Sequence, residues 1–110
     1  TTANLEPYTI IGKSIGTVIA VKGAATKQIS PVKLILLGIP INGGANANEF
    51  NDWLGTIDIP VVIIQNTDDP LGSFEQVSNA FKDSNQNITL IESPGDTHDY
   101  LDFKMISGLM

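Results

Sequence analysis

Two nearly continuous aliphatic runs, VKLILLG (32–38) and IPVVIIQN (59–66), constrain the fold of this chain more than any other feature. Both are rich in Leu, Ile and Val, and neither alternates apolar with polar residues. A strand with one solvated face alternates, whereas a strand buried on both faces reads as a continuous apolar run. The two runs therefore predict inner strands of a parallel sheet whose faces are covered by helices.

Two further stretches, YTIIG (8–12) and NITLIE (87–92), are also typical of strands. Helix-like segments alternate with the four strands, over residues 14–28, 46–57, 72–84 and 98–110. This order predicts an α/β fold, with a parallel β-sheet, alternating helices and right-handed crossovers in a three-layer α/β/α arrangement. With 110 residues the chain has room for a single small domain, which we place over 1–110.

Composition and charge exclude several classes of function. Lys and Arg total 6 against 12 Asp and Glu, and the basic residues are scattered, so no nucleic-acid partner is expected. No apolar run approaches the roughly 20 residues that span a bilayer, and the first residues lack a signal-peptide pattern. We therefore expect no membrane partner and a cytoplasmic protein. The absence of cysteine excludes disulfides and thiolate metal sites.

The segment YTIIGKSIGT (8–17) has two interpretations. Its GKS could end a phosphate-binding loop, G-x-x-x-x-G-K-[ST], whose glycines let backbone N–H groups wrap the phosphates. That motif requires a glycine at position 7, where Pro7 stands, and none of residues 1–11 is a glycine. A nucleotide-binding domain is therefore the weakest of the functional alternatives.

GKSIG also matches G-x-S-x-G, with Ser14 at the junction of a predicted strand and a predicted helix. The pattern is typical of a strained turn that exposes a nucleophilic serine, and side chains in place of Gly12 and Gly16 would clash there. The following helix points its N-terminus at the serine, which places the N–H of Ile15 to bind a developing oxyanion. Taken alone, Ser14 is equally typical of a helix N-cap.

A nucleophilic serine needs a base, and the base needs a group to orient it. The single histidine, His98, follows the predicted strand 87–92, while Asp68 and Asp69 follow the predicted strand 59–66. The order along the chain is Ser, Asp, His, and each candidate follows its own strand. Because the carboxyl ends of parallel strands meet at one edge of the sheet, we expect these side chains to come together.

The segments IIGKSIGTVIA, IPVVIIQNTDDPLGSFEQV and ITLIESPGDTHDY resemble the C-terminal half of the α/β-hydrolase family, from the nucleophile elbow to the catalytic histidine. The resemblance implies Ser14 as nucleophile and His98 as general base. It selects Asp69 over Asp68, because the family aspartate usually stands just before a proline or an apolar pair. Asn66 stands where the family has a glycine, and asparagine also tolerates left-handed backbone angles.

The same resemblance implies a serine esterase or acyl hydrolase that forms an acyl-enzyme from a small-molecule acyl substrate and needs no cofactor. The chain departs from the family by supplying only its last four strands, so we expect a partial domain. The earlier strands and the loop with the second oxyanion N–H are then expected outside it. The strand at 8–12 would need the missing N-terminal half, or a second chain, to cover its edge. The alternative is a non-catalytic α/β domain kept for assembly.

Overall fold

A computed structural model of the chain describes residues 7–100. Strands and helices alternate in the order β1 (Thr9–Lys13), α1 (Ile15–Ala25), β2 (Lys33–Leu37), α2 (Ala47–Thr56), β3 (Val61–Asn66), α3 (Phe74–Phe81) and β4 (Ile88–Ser93). The four strands form one parallel sheet in the order β1-β2-β3-β4. The predicted α/β fold with a parallel sheet is confirmed.

The side chains of the two inner strands divide between two apolar clusters, since successive residues of a strand point to opposite faces. Leu34 and Leu36 of β2 lie in the larger cluster, whereas Ile35 and Leu37 lie in the smaller one. The larger cluster holds buried residues of all three helices: Ala20, Val21, Phe50, Leu54, Val77 and Phe81. The helices therefore pack on one face of the sheet, as right-handed crossovers between successive neighbouring strands require.

The predicted fourth helix, 98–110, falls mostly outside the described residues. Its first residues, 98–100, are not helical and belong to the loop after β4. The three helices within residues 7–100 cover one face of the sheet, so these residues show two of the three predicted layers. None of the three helices within residues 7–100 combines the length and the hydropathy that a membrane crossing requires.

β1 lies at one edge of the sheet, and within the described range it pairs with β2 alone. Large apolar side chains of β1 and α1 are exposed beside this edge: Ile11 is 40% exposed and Ile19 67%. An edge strand presents unpaired N–H and C=O groups, and contiguous exposed apolar side chains are typical of interaction surfaces. We call the edge of β1 with Ile11 and Ile19 the β1 surface.

Candidate active site

Ser14 occupies the sharp turn between β1 and α1, with φ 56° and ψ −124°. A positive φ is unfavourable for a residue with a side chain and persists only where the surroundings hold it. The Ser14 N–H donates to the carbonyl of Leu37 at 3.0 Å. Its carbonyl accepts from the backbone N–H and the hydroxyl of buried Thr17 at 2.9 and 2.7 Å. Hydrogen bonds on both sides of Ser14 thus hold the strained turn beyond the end of β1.

The two glycines that flank Ser14 differ in the space around them. A Cβ on Gly12 would lie 2.7 Å from the carbonyl oxygen and 3.0 Å from the carbonyl carbon of Gly16. A Cβ on Gly16 would meet no atom of the surrounding described structure within 4 Å. The interpretation that a side chain would clash at both positions holds at Gly12 and is wrong at Gly16, which faces open space beside the β1 surface.

We expect Gly12→Ala to lower the free energy of unfolding by about 2 kcal/mol or more, because the opposing atoms are backbone and cannot rotate away. Gly16→Ala is the matched control. Its free energy of unfolding should stay within about 1 kcal/mol of the parent value, since alanine favours a helix over glycine. Urea unfolding monitored by circular dichroism measures both variants. Equal stability of the two variants would contradict the close approach at Gly12.

Asp69 lies in the loop between β3 and α3, with its side chain 0% exposed. The backbone N–H of Leu71 donates to its Oδ1 at 2.8 Å, and the N–H of Gly72 donates to its carbonyl at 3.0 Å. Asp68 is exposed instead, and its backbone N–H donates to the carbonyl of Gly95. The tight turn after β3 therefore directs Asp69 inward and leaves Asp68 in solvent.

The His98 ring lies between Ser14 and Asp69. Its Nε2 is 2.8 Å from Ser14 Oγ, and its Nδ1 is 2.8 Å from Oδ2 and 3.0 Å from Oδ1 of Asp69. Because a carboxylate only accepts hydrogen bonds, Nδ1 must carry the proton that it donates to Asp69. In the neutral ring, Nε2 is then free to accept the proton of the Ser14 hydroxyl. The structure thus brings together the three side chains that the strand ends predicted.

Asn66, the last residue of β3, holds the loop that carries His98. Its side-chain amide donates to the carbonyls of Thr97 at 3.0 Å and Asp99 at 3.1 Å, on either side of the histidine. Asn66 belongs to a strand and does not have a positive φ, so the explanation from left-handed backbone angles is wrong. The signal that could have revealed its role is a polar side chain at the end of a fully buried strand.

Gln65, the preceding residue of β3, is fully buried and joins two loops at this edge of the sheet. Its Oε1 accepts from the N–H of Ile39 at 2.9 Å, and its amide donates to the carbonyls of Ile39 at 3.2 Å and Gly72 at 2.6 Å. The loop after β2 is thereby tied to the loop that carries Asp69. Sequence analysis did not single out this residue.

Tyr100 completes the surroundings of Asp69 and was also missed. Its hydroxyl donates to Asp69 Oδ2 at 2.6 Å and accepts from the backbone N–H of Asn66 at 2.8 Å. Burial raises the pKa of Tyr100 well above its ordinary value, and the hydrogen bond to the negatively charged Asp69 raises it further. The hydroxyl therefore stays protonated, and remains a donor, over the pH range in which proteins are folded.

Ile15 is the first residue of α1, so its backbone N–H has no acceptor within the helix. It follows Ser14 directly, at the helix end where the macrodipole favours negative charge. In the GKS segment, Gly12 and Lys13 are the last two residues of β1. The residues before GKS therefore form a strand and not the glycine-rich loop of a phosphate-binding motif. Within residues 7–100, no three or more His, Asp or Glu side chains are grouped so as to hold a metal ion.

A protein-family model described as an alpha/beta hydrolase domain matches residues 1–109. The chain belongs to the α/β-hydrolase family. No curated protein and no solved structure matches the chain significantly. Membership of the α/β-hydrolase family confirms the resemblance drawn from the segments around Ser14, Asp69 and His98, and the catalytic roles of these three residues remain predictions.

Proposed function

We propose that this α/β-hydrolase domain is a serine hydrolase that cleaves a small acyl substrate through an acyl-enzyme. The proposal is supported by the continuous chain of hydrogen bonds from Ser14 through His98 to Asp69, in which each contact measures 2.8 Å. A serine hydroxyl against a base, and a base oriented by a buried carboxylate, form the arrangement that activates a nucleophile in acyl transfer.

In this mechanism His98 Nε2 accepts the proton of Ser14 as Oγ attacks the acyl carbon. Asp69 keeps its hydrogen bond to Nδ1 and stabilises the positive charge of the imidazolium. The former carbonyl oxygen becomes an oxyanion, to which the N–H of Ile15 donates.

The imidazolium of His98 then protonates the leaving alcohol, thiol or amine as its bond to the acyl carbon breaks, which leaves Ser14 acylated. A water molecule, deprotonated in turn by His98, attacks the acyl carbon. The bond from the acyl carbon to Ser14 Oγ then breaks, His98 returns the proton to Oγ, and the acid is released. An ester, thioester or amide fits this sequence, and the steps require no cofactor.

We also propose that the β1 surface is covered either by the N-terminal half of the fold or by a second chain. Such a covering element would pair with the free edge of β1 and bury the exposed side chains of Ile11 and Ile19. It would also lie close to Ser14, which directly follows β1, and would supply the second N–H donor for the oxyanion.

A non-catalytic domain kept for assembly is the second candidate, and the β1 surface is the observation that favours it. The backbone conformation of Ser14 favours a catalytic domain instead. A non-glycine residue at φ 56° is costly, and strain of this kind is typical of functional sites.

A fluorophosphonate probe, which reacts with activated serines, tests the proposed function. We expect modification of Ser14 in the protein with the element that covers the β1 surface in place, identified by mass spectrometry of the labelled peptide. Ser73, whose hydroxyl caps α3, is an internal control that should stay unmodified. Labelling at another serine, or no labelling, would contradict a serine hydrolase centred on Ser14, and no labelling would favour the assembly domain.

A further inference from the structure

The Asp69 carboxylate receives more hydrogen bonds than a simple partner of His98 requires. Oδ1 accepts from the N–H of Leu71, and Oδ2 accepts both from His98 Nδ1 at 2.8 Å and from the Tyr100 hydroxyl at 2.6 Å. The histidine and the tyrosine therefore share one carboxylate oxygen. A change in the hydrogen bond from Tyr100 to Oδ2 therefore changes the negative charge that His98 meets at the same oxygen.

We propose that Tyr100 is a positioning residue, which holds the Asp69 carboxylate against His98 and limits the negative charge that the carboxylate presents to the imidazole. The inference rests on the proposed function, in which His98 is the base. In this inference, Tyr100 helps to determine the pH range in which His98 is neutral and able to accept the Ser14 proton.

The Tyr100 side chain is held firmly enough for this role. It is 7% exposed, and its ring packs edge-on against His98, with the ring centroids 6.0 Å apart. Gly38 also lies close to the ring, since a Cβ at that position would come within 2.4 Å of Tyr100 Cε1. The hydroxyl accepts the N–H of Asn66, which leaves its own proton directed at Asp69.

Among residues 7–100, Asp69 and Tyr100 are the ionisable side chains seen in contact with the His98 ring. Asp69 approaches from the loop after β3, and Tyr100 lies in the same loop as the histidine. The turn after β1 contributes the hydroxyl of Ser14, and the end of β2 contributes Gly38, neither of which is charged at neutral pH. Because burial keeps Tyr100 protonated, its hydrogen bond withdraws charge from Asp69 without adding any of its own.

Removal of the hydroxyl in Tyr100→Phe keeps the ring and deletes one donor to Asp69. The carboxylate then attracts the imidazolium proton more strongly, so His98 should lose that proton only at higher pH. We expect the acidic limb of the pH profile for the second-order rate of Ser14 labelling by the fluorophosphonate to move up by roughly one pH unit.

Tyr8→Phe is the matched control, because these are the two tyrosines of the sequence. The Tyr8 hydroxyl accepts from the N–H of Ser30 at 2.9 Å, at the end of β1 away from Ser14. The acidic limb of the pH profile for labelling of Tyr8→Phe should coincide with that of the parent protein. A purely structural role for Tyr100 would lower the labelled fraction without moving the limb, and an unmoved or lowered midpoint for Tyr100→Phe would overturn the inference.

The sequence contains a single histidine, so an NMR titration of the histidine ring protons tests the inference independently of labelling. We expect the midpoint for His98 to rise in Tyr100→Phe by the same roughly one pH unit and to stay unchanged in Tyr8→Phe. If the parent protein is not labelled but the midpoint rises, the proposed function fails and the inferred effect of Tyr100 on the pair of Asp69 and His98 stands. If the parent protein is labelled but the midpoint does not rise, the inference alone fails.

Discussion

Ser14→Ala is expected to abolish labelling by the fluorophosphonate, and His98→Ala is expected to lower the labelling rate by at least about 10³-fold. Alanine at position 14 removes the oxygen proposed to attack, and alanine at position 98 removes the proposed base, which lies 2.8 Å from it. Gel fluorescence against time measures the rates. Robust labelling of Ser14→Ala would place the nucleophile elsewhere.

A comparison of Asp69→Asn with Asp68→Asn tests which carboxylate orients His98. Asp69→Asn should lower the rate by about 10⁴-fold, because an amide in that place no longer holds His98 in the tautomer that accepts from serine. Asp68→Asn removes the same charge from an exposed neighbour and should leave the rate within about threefold of the parent. Equal losses in the two variants would show that the acid is misassigned.

The second large effect concerns the isolated 110-residue chain, which is expected to self-associate and to hydrolyse esters very slowly. Its β1 edge is free within the described residues, and Ile19 beside it is 67% exposed. Loss of a second oxyanion donor alone typically costs about 10²–10³-fold in turnover. Size-exclusion chromatography with light scattering, alongside hydrolysis of p-nitrophenyl acetate, measures both properties.

Ile19→Lys places a charge in the β1 surface and should shift the chain toward the monomer, since an edge that bears lysine resists pairing. Asn79→Lys adds the same charge on an exposed position of α3, away from β1, and should leave the association unchanged. A stable monomer of the parent chain, with turnover like that of ordinary esterases, would show that these four strands suffice.

The sheet was determined largely by the sequence. The runs at 32–38 and 59–66 contain β2 and β3, because a strand buried on both faces is apolar at most of its positions. Within residues 7–100, the first three predicted helices are in the right places but too long. Residues 14–28 were assigned to the first helix, for example, whereas α1 ends at Ala25 and Lys27 has a positive φ. The exact ends depend on hydrogen bonds and backbone angles that a periodic pattern does not specify.

The three residues of the candidate site could also be located from the sequence, because each follows a strand and parallel strands end at the same edge. The contacts between these three side chains could not be predicted from the sequence. Whether Asp68 or Asp69 faces His98 depends on a turn of the backbone, in which the N–H of Leu71 captures the carboxylate of Asp69. The position after a strand left Asp68 and Asp69 as alternatives. The family resemblance selected Asp69, which is the residue that the structure directs inward.

The supporting residues were decided by the tertiary structure alone. Tyr100 and Asp69 are 31 positions apart, and Asn66 and Tyr100 are 34 apart, so their hydrogen bonds exist only once β3 and β4 are paired in register. Gly16 shows the same dependence, because the space beside it is set by what packs against α1 and not by its neighbours along the chain. Local sequence patterns specify strands and helices, because the formation of a strand or a helix depends largely on residues close in sequence. Contacts between loops at a sheet edge depend on the path of the whole chain, and therefore only the folded structure reveals them.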